Sequence, residues 1–508
     1  MTDLRQARGK LPRFPEQGSA KARLRRIGVI DVGSNSVRLV VFDGMARSPA
    51  YFYNEKVLCG LGAGLSETGL LNRDGVRRAL ATLHRFAALA ASMDLSGMIA
   101  VATAAVRDAE DGPAFCDQVE RETGLQLHVA SGAEEARLSA KGVLLGWPQA
   151  DGLVCDMGGS SVELARVGGG EIRECTTGPL GPLKLADIGT DDKRAKWVRK
   201  HAKALVKSVP GDAPQLFLVG GSWRAIGRLD MERSDYPLKV VHGYTPDTKG
   251  LAETLKWIPN QSSGDLNTMT GTSQARLSLV PFAAPVLAEL IRRIEPERVI
   301  FSGYGLREGL LYRQMSKEMR ALDPLIEACL HTEAASARTP GFGTVLYEWL
   351  LPIYADRTGA ELRLIRAACL LHDVNWRAHP DYRAELCFES VTRANLSGLD
   401  HTDRVFLGLA LLNRYKTTAP TGTVERYARL LGETRAADAV ILGKAMRLGA
   451  MLSGSSIGIL EHAALELTPD RLVLSLAGPA RDCAGETVDR RLQTLAGRLG
   501  REGVQELR

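Results

Sequence analysis

Short apolar runs, bounded by small and polar residues, recur through the first 312 positions. Val29-Ile30, Gly97-Met98-Ile99-Ala100-Val101, Val154-Cys155 and Leu216–Val219 predict short buried strands, each followed by a turn of small residues. After residue 313 the period changes. Leu362, Ile365, Cys369 and His372 recur at helical spacing, and helices are predicted for most of the remainder. The strand-like run Arg471-Leu472-Val473-Leu474-Ser475-Leu476 interrupts them. Nowhere do about 18 apolar residues stand together, which excludes a membrane-spanning helix.

Two of the strands belong to a repeat. Val29-Ile30-Asp31-Val32-Gly33-Ser34-Asn35-Ser36-Val37-Arg38-Leu39 lines up with Val154-Cys155-Asp156-Met157-Gly158-Gly159-Ser160-Ser161-Val162-Glu163-Leu164 at an offset of 125 residues. Each copy reads as strand, small-residue turn, second strand. Such a turn gathers backbone N–H groups and hydroxyls into one concavity that suits phosphate oxygens. An Asp at the end of the first strand can hold a hydrated magnesium ion beside that phosphate. One copy alone would be an ordinary β-hairpin; two copies a domain-length apart predict duplicated α/β halves. This pattern resembles the actin/hexokinase/Hsp70-like (RNase H-like) superfold, in which two α/β domains face each other across a phosphate cleft.

The chain has 508 residues, 45% of them hydrophobic and 24% charged, enough for three or four domains with real cores. The expected division is a basic tail 1–26, actin-like domains 27–138 and 139–319, a helical domain 320–430 and a C-terminal domain 431–508. The tail holds eight Lys and Arg against two acids, so the net charge of +6 resides there and the other 482 residues balance to zero. It reads as a solubilising arm or a recruiter of polyanions. Arg25-Arg26 does not open an export signal, because Asp31, Ser34, Asn35 and Ser36 stand where an apolar segment is required. Eight cysteines without any C-x-x-C spacing read as scattered reduced thiols, which places the chain in the cytoplasm.

Three further segments carry chemistry. Thr103-Ala104-Ala105-Val106-Arg107 follows an apolar strand, and Ser131-Gly132-Ala133-Glu134-Glu135-Ala136-Arg137-Leu138 opens a helix. Phe301-Ser302-Gly303-Tyr304-Gly305-Leu306-Arg307-Glu308-Gly309-Leu310-Leu311-Tyr312 closes the region. Together with the two Asp-Gly loops, in this order, they resemble the exopolyphosphatase / guanosine pentaphosphate phosphohydrolase family (Ppx/GppA). The likeness covers residues 27–312 and, more weakly, the helical remainder. Two positions depart from the family pattern: Asp111 stands four residues after Arg107 where Asn is usual, and Ser160 replaces a third glycine.

Ser131-x-x-Glu134 is a capping box, which occupies Glu134 and leaves Glu135 free to point elsewhere. Read alone, Glu135 is a solvated first-turn glutamate whose anion the helix N-terminus favours. The resemblance implies that it is the catalytic base that activates water, and that Arg107 clamps phosphate oxygens as only a planar guanidinium can. It further implies magnesium, with Asp156 and Glu163 as ligands and Asp31 as ligand or water-positioning group. Gly33, Ser34, Asn35, Ser36, Arg38, Thr103, Gly158, Gly159, Ser160, Ser161 and Arg307 are the phosphate-binding residues it implies. Gly220-Gly221-Ser222-Trp223-Arg224 sits where nucleotide-binding members of the superfold approach adenosine, but Trp223 and Arg224 are bulky for that, and a structural turn is equally good.

In the helical half, His372-Asp373 resembles the HD-type phosphohydrolase domain, yet His331, His379, His401 and Asp403 are loosely spaced for a metal set, and His372 reads better as a satisfied core residue. The basic run Lys193–Lys203 reads as a solvated helix face or a guide for a long polyanion. No base-reading motif accompanies it, so nucleic acid is not a partner. The function implied is an Mg2+-dependent exopolyphosphatase acting on inorganic polyphosphate, by family resemblance a homodimer. Alternatives are a guanosine pentaphosphate 5′-phosphohydrolase at the same site, an ATP-dependent kinase or chaperone of the superfold, and a non-catalytic polyphosphate-binding regulator.

Overall fold

A computed structural model of the chain describes residues 26–44, 46–416 and 421–508; the basic tail to residue 25 lies outside them. The chain divides after Leu322 into two compact units.

The first unit holds two five-stranded sheets of identical design. One comprises β1 (Ile27–Val32), β2 (Ser36–Phe42), β3 (Tyr51–Leu58), β4 (Gly97–Ala102) and β5 (Leu127–Val129), ordered β3-β2-β1-β4-β5. The other comprises β6 (Gly152–Met157), β7 (Val162–Gly168), β8 (Glu171–Gly178), β9 (Gln215–Gly220) and β10 (Arg298–Phe301), ordered β8-β7-β6-β9-β10 when read in the same sense. In each, the first three strands pair antiparallel and the last two join parallel to the first. The duplication inferred from the 125-residue offset is therefore a duplication of topology, the actin-like arrangement.

Strand parity decides what faces the interior. Successive side chains of a strand point to opposite faces. On β1, Ile30 and Val32 enter the core of the first sheet's own helices, whereas Ile27 and Val29 enter a core shared with the second sheet's Val154, Val167, Phe217 and Val219. Asp31 and Asp156 continue the shared face at the ends of their strands. Two helices fill that face: α1 (Gly132–Gly146), which packs on β6, β7 and β8, and α4 (Leu306–Gln314), which meets β1. Between them in the chain lie α2 (Asp191–Lys207) and α3 (Gly221–Arg233).

Helices α1 and α4 approach through glycine. A β-carbon on Gly142 would lie 2.1 Å from the Gly305 carbonyl oxygen, and one on Gly309 would lie 1.8 Å from that of Leu138. No side chain can stand there, so backbone meets backbone. The expected boundary at 138/139 falls inside α1 and is corrected: this helix belongs with the second sheet.

The second unit is largely helical, with one core running from Leu325 to Ala496. That core passes through α5 (Gly359–Leu371), α6 (His401–Tyr415), α7 (Glu433–Ser453) and α8 (Glu486–Leu499), so no break in it corresponds to the expected boundary at 430/431. The run Arg471–Leu476 is a strand as predicted, but it is the centre of a three-stranded sheet with Ala463–Leu467 and Glu502–Leu507, neither of which was anticipated. The alternation of Glu466, Glu502 and Glu506 with apolar residues hides both from a search for apolar runs. All eight cysteines are free. Among the described residues no helix is long and apolar enough to cross a membrane.

The seam gives a test. Gly309→Ala should destabilise the protein by about 3 kcal/mol or more, because its nearest neighbour is a backbone carbonyl that cannot rotate away. Denaturant unfolding measures it; Gly124→Ala, at a helix end with open space around it, provides a comparison that has only backbone strain.

Candidate active site

The two repeat loops close in the same way. Gly33 N donates to Ser36 O at 2.9 Å, and Gly158 N donates to Ser161 O at 3.0 Å. They face each other, since a β-carbon on Gly159 would meet Ser34 Cβ at 3.0 Å. Between them opens a cavity of about 430 Å3. Of the predicted site residues, Asp31, Gly33, Ser34, Asn35, Ser36, Arg38, Thr103, Glu135, Asp156, Gly158, Gly159, Ser161 and Arg307 line it. Ser160 does not line it; its carbonyl accepts from Gly181 N at 3.1 Å, so its role as a phosphate ligand is corrected to a loop-shaping one.

The repeat is symmetric in backbone and asymmetric in charge. Asp31 pairs in register with Arg38, whereas Asp156 pairs in register with Glu163. The first lobe thus sets a cation beside its aspartate and the second lobe a second carboxylate. Arg307, on the first turn of α4, reaches Asp31 with Nη1 3.1 Å from Oδ2. Asp156 accepts from the Ser139 hydroxyl, one turn after Glu135 on α1. Glu163 Oε1 accepts from Thr177 Oγ1 at 2.9 Å, while its Oε2 is buried without a hydrogen-bond partner.

These acids crowd one another. Burial and the Asp156 carboxylate push Glu163 up to about 7. Asp156 is itself raised, chiefly by burial. Glu135, 6% exposed, is pushed well above the usual carboxylate range by burial, then by Glu163 and Asp156. The expectation of a solvated anion favoured by the helix start is corrected, because desolvation outweighs the helix terminus. Arg107 opposes this, with Nη1 3.2 Å from Glu135 Oε2 and 3.1 Å from the Ala130 carbonyl. Its Nε donates to Asp108 at 3.0 Å, and Arg107 is not among the residues that line the cavity, so the phosphate clamp expected of it is corrected to a partner of Glu135.

Other sequence readings change in detail. Ser131 caps α1 by accepting from Glu134 N at 3.2 Å, but the reciprocal half of the capping box is absent. The Glu134 carboxylate instead meets His128 Nε2 at 2.9 Å and Arg313 Nη1 at 3.2 Å. Asp111 accepts from Leu71 N at 2.9 Å and is structural. Lys193–Lys203 lies on α2 with Val198 and Ala202 buried and its lysines exposed; none of it lines the cavity. Sequence reasoning missed Lys56, which pairs in register with Arg38, together with Arg224, Ser139 and Thr177. Ser139 was findable as the i+4 neighbour of Glu135. Thr177 becomes visible only through strand register.

The donor set fits a hard divalent cation. Two register-paired carboxylates with one orphaned oxygen gain from a nearby positive charge, and magnesium takes one or two carboxylates with water and phosphate. No grouping of three His, Cys, Asp or Glu side chains that could hold a metal by itself occurs among the described residues. Water and phosphate oxygens would therefore complete the shell.

Residues 40–318 match the profile of the Ppx/GppA phosphatase family. The chain belongs to this family. Residues 334–504 match a second profile, described as the exopolyphosphatase C-terminal region. The chain is 27% identical over 321 residues to Exopolyphosphatase 1 of Mycobacterium tuberculosis, covering 60% of this chain and 93% of that protein. It is 24% identical over 454 residues to Retrograde regulation protein 2 of Saccharomyces cerevisiae, covering 80% and 75%. The crystal structure of an exopolyphosphatase from Cytophaga hutchinsonii superposes with a TM-score of 0.53 at 24% identity, covering 59% of this chain and 99% of that one, and shares its fold.

In this Ppx/GppA chain the HD-like pair is locked internally. Asp373 takes both Arg338 nitrogens, at 2.6 and 2.8 Å. His372 is buried, its Nδ1 2.8 Å from the Cys369 carbonyl, and burial brings it down to about 3. Asp403 pairs with Arg435, and His379 lies beside Asp381 on the surface.

The crowded acids make a pH prediction. A carboxyl raised in the folded state binds protons more tightly folded than unfolded, so stability falls as pH rises from about 4.5 through about 7. In chelator, the melting temperature should therefore drop across this window. Glu163→Gln should flatten the drop and raise the melting temperature near pH 8; an unchanged slope would remove Glu163 from the coupled set.

Proposed function

We propose that the chain is a magnesium-dependent exopolyphosphatase that removes terminal orthophosphate from inorganic polyphosphate. The observation that carries this reading is the mixture of carboxylates and guanidiniums in the cleft. Glu135 and Asp156 line it with Glu163 acting on both, and Arg38, Arg224 and Arg307 line the same cavity, the last two within electrostatic reach of Asp156. A chain of linked phosphates uses both: its end meets the acids and their cation, and its length meets the guanidiniums. The name of the Mycobacterium tuberculosis relative supports the same substrate.

In this reading a water beside Glu135 attacks the terminal phosphorus in line with the bridging oxygen. The new P–O bond forms as the phosphoanhydride P–O bond breaks, Glu135 takes a water proton, and the shortened chain leaves with the bridging electron pair. The raised basicity of Glu135 suits proton transfer near neutral pH. Arg107 orients that carboxylate. Backbone N–H groups of the two loops, the Ser34 hydroxyl and Arg307 receive phosphoryl oxygens. Asp156 and Glu163, with Asp31 near, would hold magnesium, which supplies neutralisation of phosphoryl charge. A cytoplasmic homodimer accompanies this reading through the family resemblance.

Two other readings have an observation each. Gly221 has no atom within 4 Å of where a β-carbon would stand, and free space at that turn is the observation on the side of the 5′ γ-phosphate of guanosine pentaphosphate. The yeast relative, named a regulation protein, matches both halves of the chain, which favours a binding regulator. Phosphate release from long polyphosphate, tripolyphosphate, guanosine pentaphosphate and ATP on one purified sample separates all of them, and ADP formed without free phosphate would identify the kinase class.

Glu135→Gln should lower phosphate release at least about 10²-fold while polyphosphate binding and melting temperature persist. Retained activity would sink the base assignment. Asp156→Asn should move the magnesium titration of activity to higher concentration and lower turnover; an unmoved curve would take Asp156 out of the ligand set.

A further inference from the structure

We propose that Arg224 is a specificity residue of this cleft, seating an internal phosphate of the substrate chain where a nucleoside would otherwise lie; the proposal rests on the exopolyphosphatase reading above. It follows from how β9 passes into α3. Gly220 adopts φ 118°, and a β-carbon there would stand 2.5 Å from the Met157 carbonyl oxygen and 3.0 Å from Asp156 Oδ1. The strand end is thereby pressed against the second phosphate loop. Gly221 opens α3 with free space above it. The next bulky residue, Trp223, turns wholly into the second lobe's core, and Arg224 is left lining the cleft.

Arg224 is a half-buried cation that makes no ion pair among the described residues. Its Nη1 donates to the Gly303 carbonyl at 3.2 Å, and no carboxylate stands within ion-pair distance of it among the described residues. The neighbours that could serve are engaged. Glu308 accepts from Tyr51 at 2.8 Å and from Gly305 N at 2.7 Å, and Asp31 is held by Arg307. Asp156, which feels the Arg224 charge without an ion pair to it, accepts from the Ser139 hydroxyl. Burial, then the Arg307 and Arg38 guanidiniums, bring Arg224 down to about 10. A partly desolvated charge left in this state is unfavourable, and an anionic ligand relieves it. A guanidinium matches phosphate oxygens two at a time. A sugar and base accept hydrogen bonds from a guanidinium but bring it no charge, while every further unit of a polyphosphate offers an oxyanion. The free space above Gly221 is thus edged by a cation suited to a phosphate.

The test is the ratio of kcat/KM for long polyphosphate to that for GTP, measured on the wild type, Arg224→Ala, Arg224→Gln and Arg224→Lys, with melting temperatures to certify folding. Arg224→Ala and Arg224→Gln should lower the ratio at least about tenfold, mostly through the KM for polyphosphate, while GTP hydrolysis changes by less than about threefold. Arg224→Lys should recover part of the ratio. Equal losses on both substrates, or an unchanged ratio, would overturn the assignment. Binding of polyphosphate and GTP to Glu135→Gln, with and without Arg224→Ala, separates the two claims. A wild type that releases no phosphate from polyphosphate fails the exopolyphosphatase reading, whereas a binding preference indifferent to Arg224 fails this one. If both alanine and glutamine variants unfold, the lysine variant decides: a ratio identical to wild type with full stability would refute the need for a fork-shaped cation.

Discussion

Buried carboxylates that repel one another govern this cleft. Glu135, Asp156 and Glu163 are brought together by three separate elements, a helix start and two neighbouring strands, and Arg107, Ser139 and Thr177 offer them donors. Such a cluster costs stability, and most of the remaining geometry accommodates it. Arg107 pairs with Glu135 instead of lining the cavity, and the loop amides stand ready for oxyanions. Positive charge arriving beside the acids relieves that cost.

The duplication explains how one fold supplies two opposite environments. Both aspartates end equivalent strands on the face shared with α1 and α4, so strand parity alone brings them to the cleft. The residue across the pair then differentiates the lobes: Arg38 in the first, Glu163 in the second. A difference at a single register position separates a lobe with a cation across from its aspartate from one with a second carboxylate there.

Much of this was legible in the residues. The repeat exposed the topology, because identical strand-turn-strand patterns with Asp in the same place have few physical readings. The family resemblance implied a role for Glu135, which as a first-turn glutamate looks like any solvated residue. What could not be read were consequences of register and desolvation. Thr177 joins the site only because β8 pairs with β7, and Arg224 looked too bulky for a cleft because a linear sequence does not reveal that Trp223 turns away from it. Glu134 lost its capping role to His128 and Arg313, partners 6 and 179 residues distant in the chain.

The glycine contact between α1 and α4 also bears on the dimensions of the site. At Gly142 and Gly309 the backbones touch with no side chain to act as a cushion. Glu135 lies seven residues from Gly142 on α1, about 10 Å along its axis, and Arg307 lies two residues before Gly309 on α4. The seam that admits nothing larger than hydrogen thus gauges the distance between a carboxylate on one helix and a guanidinium on the other.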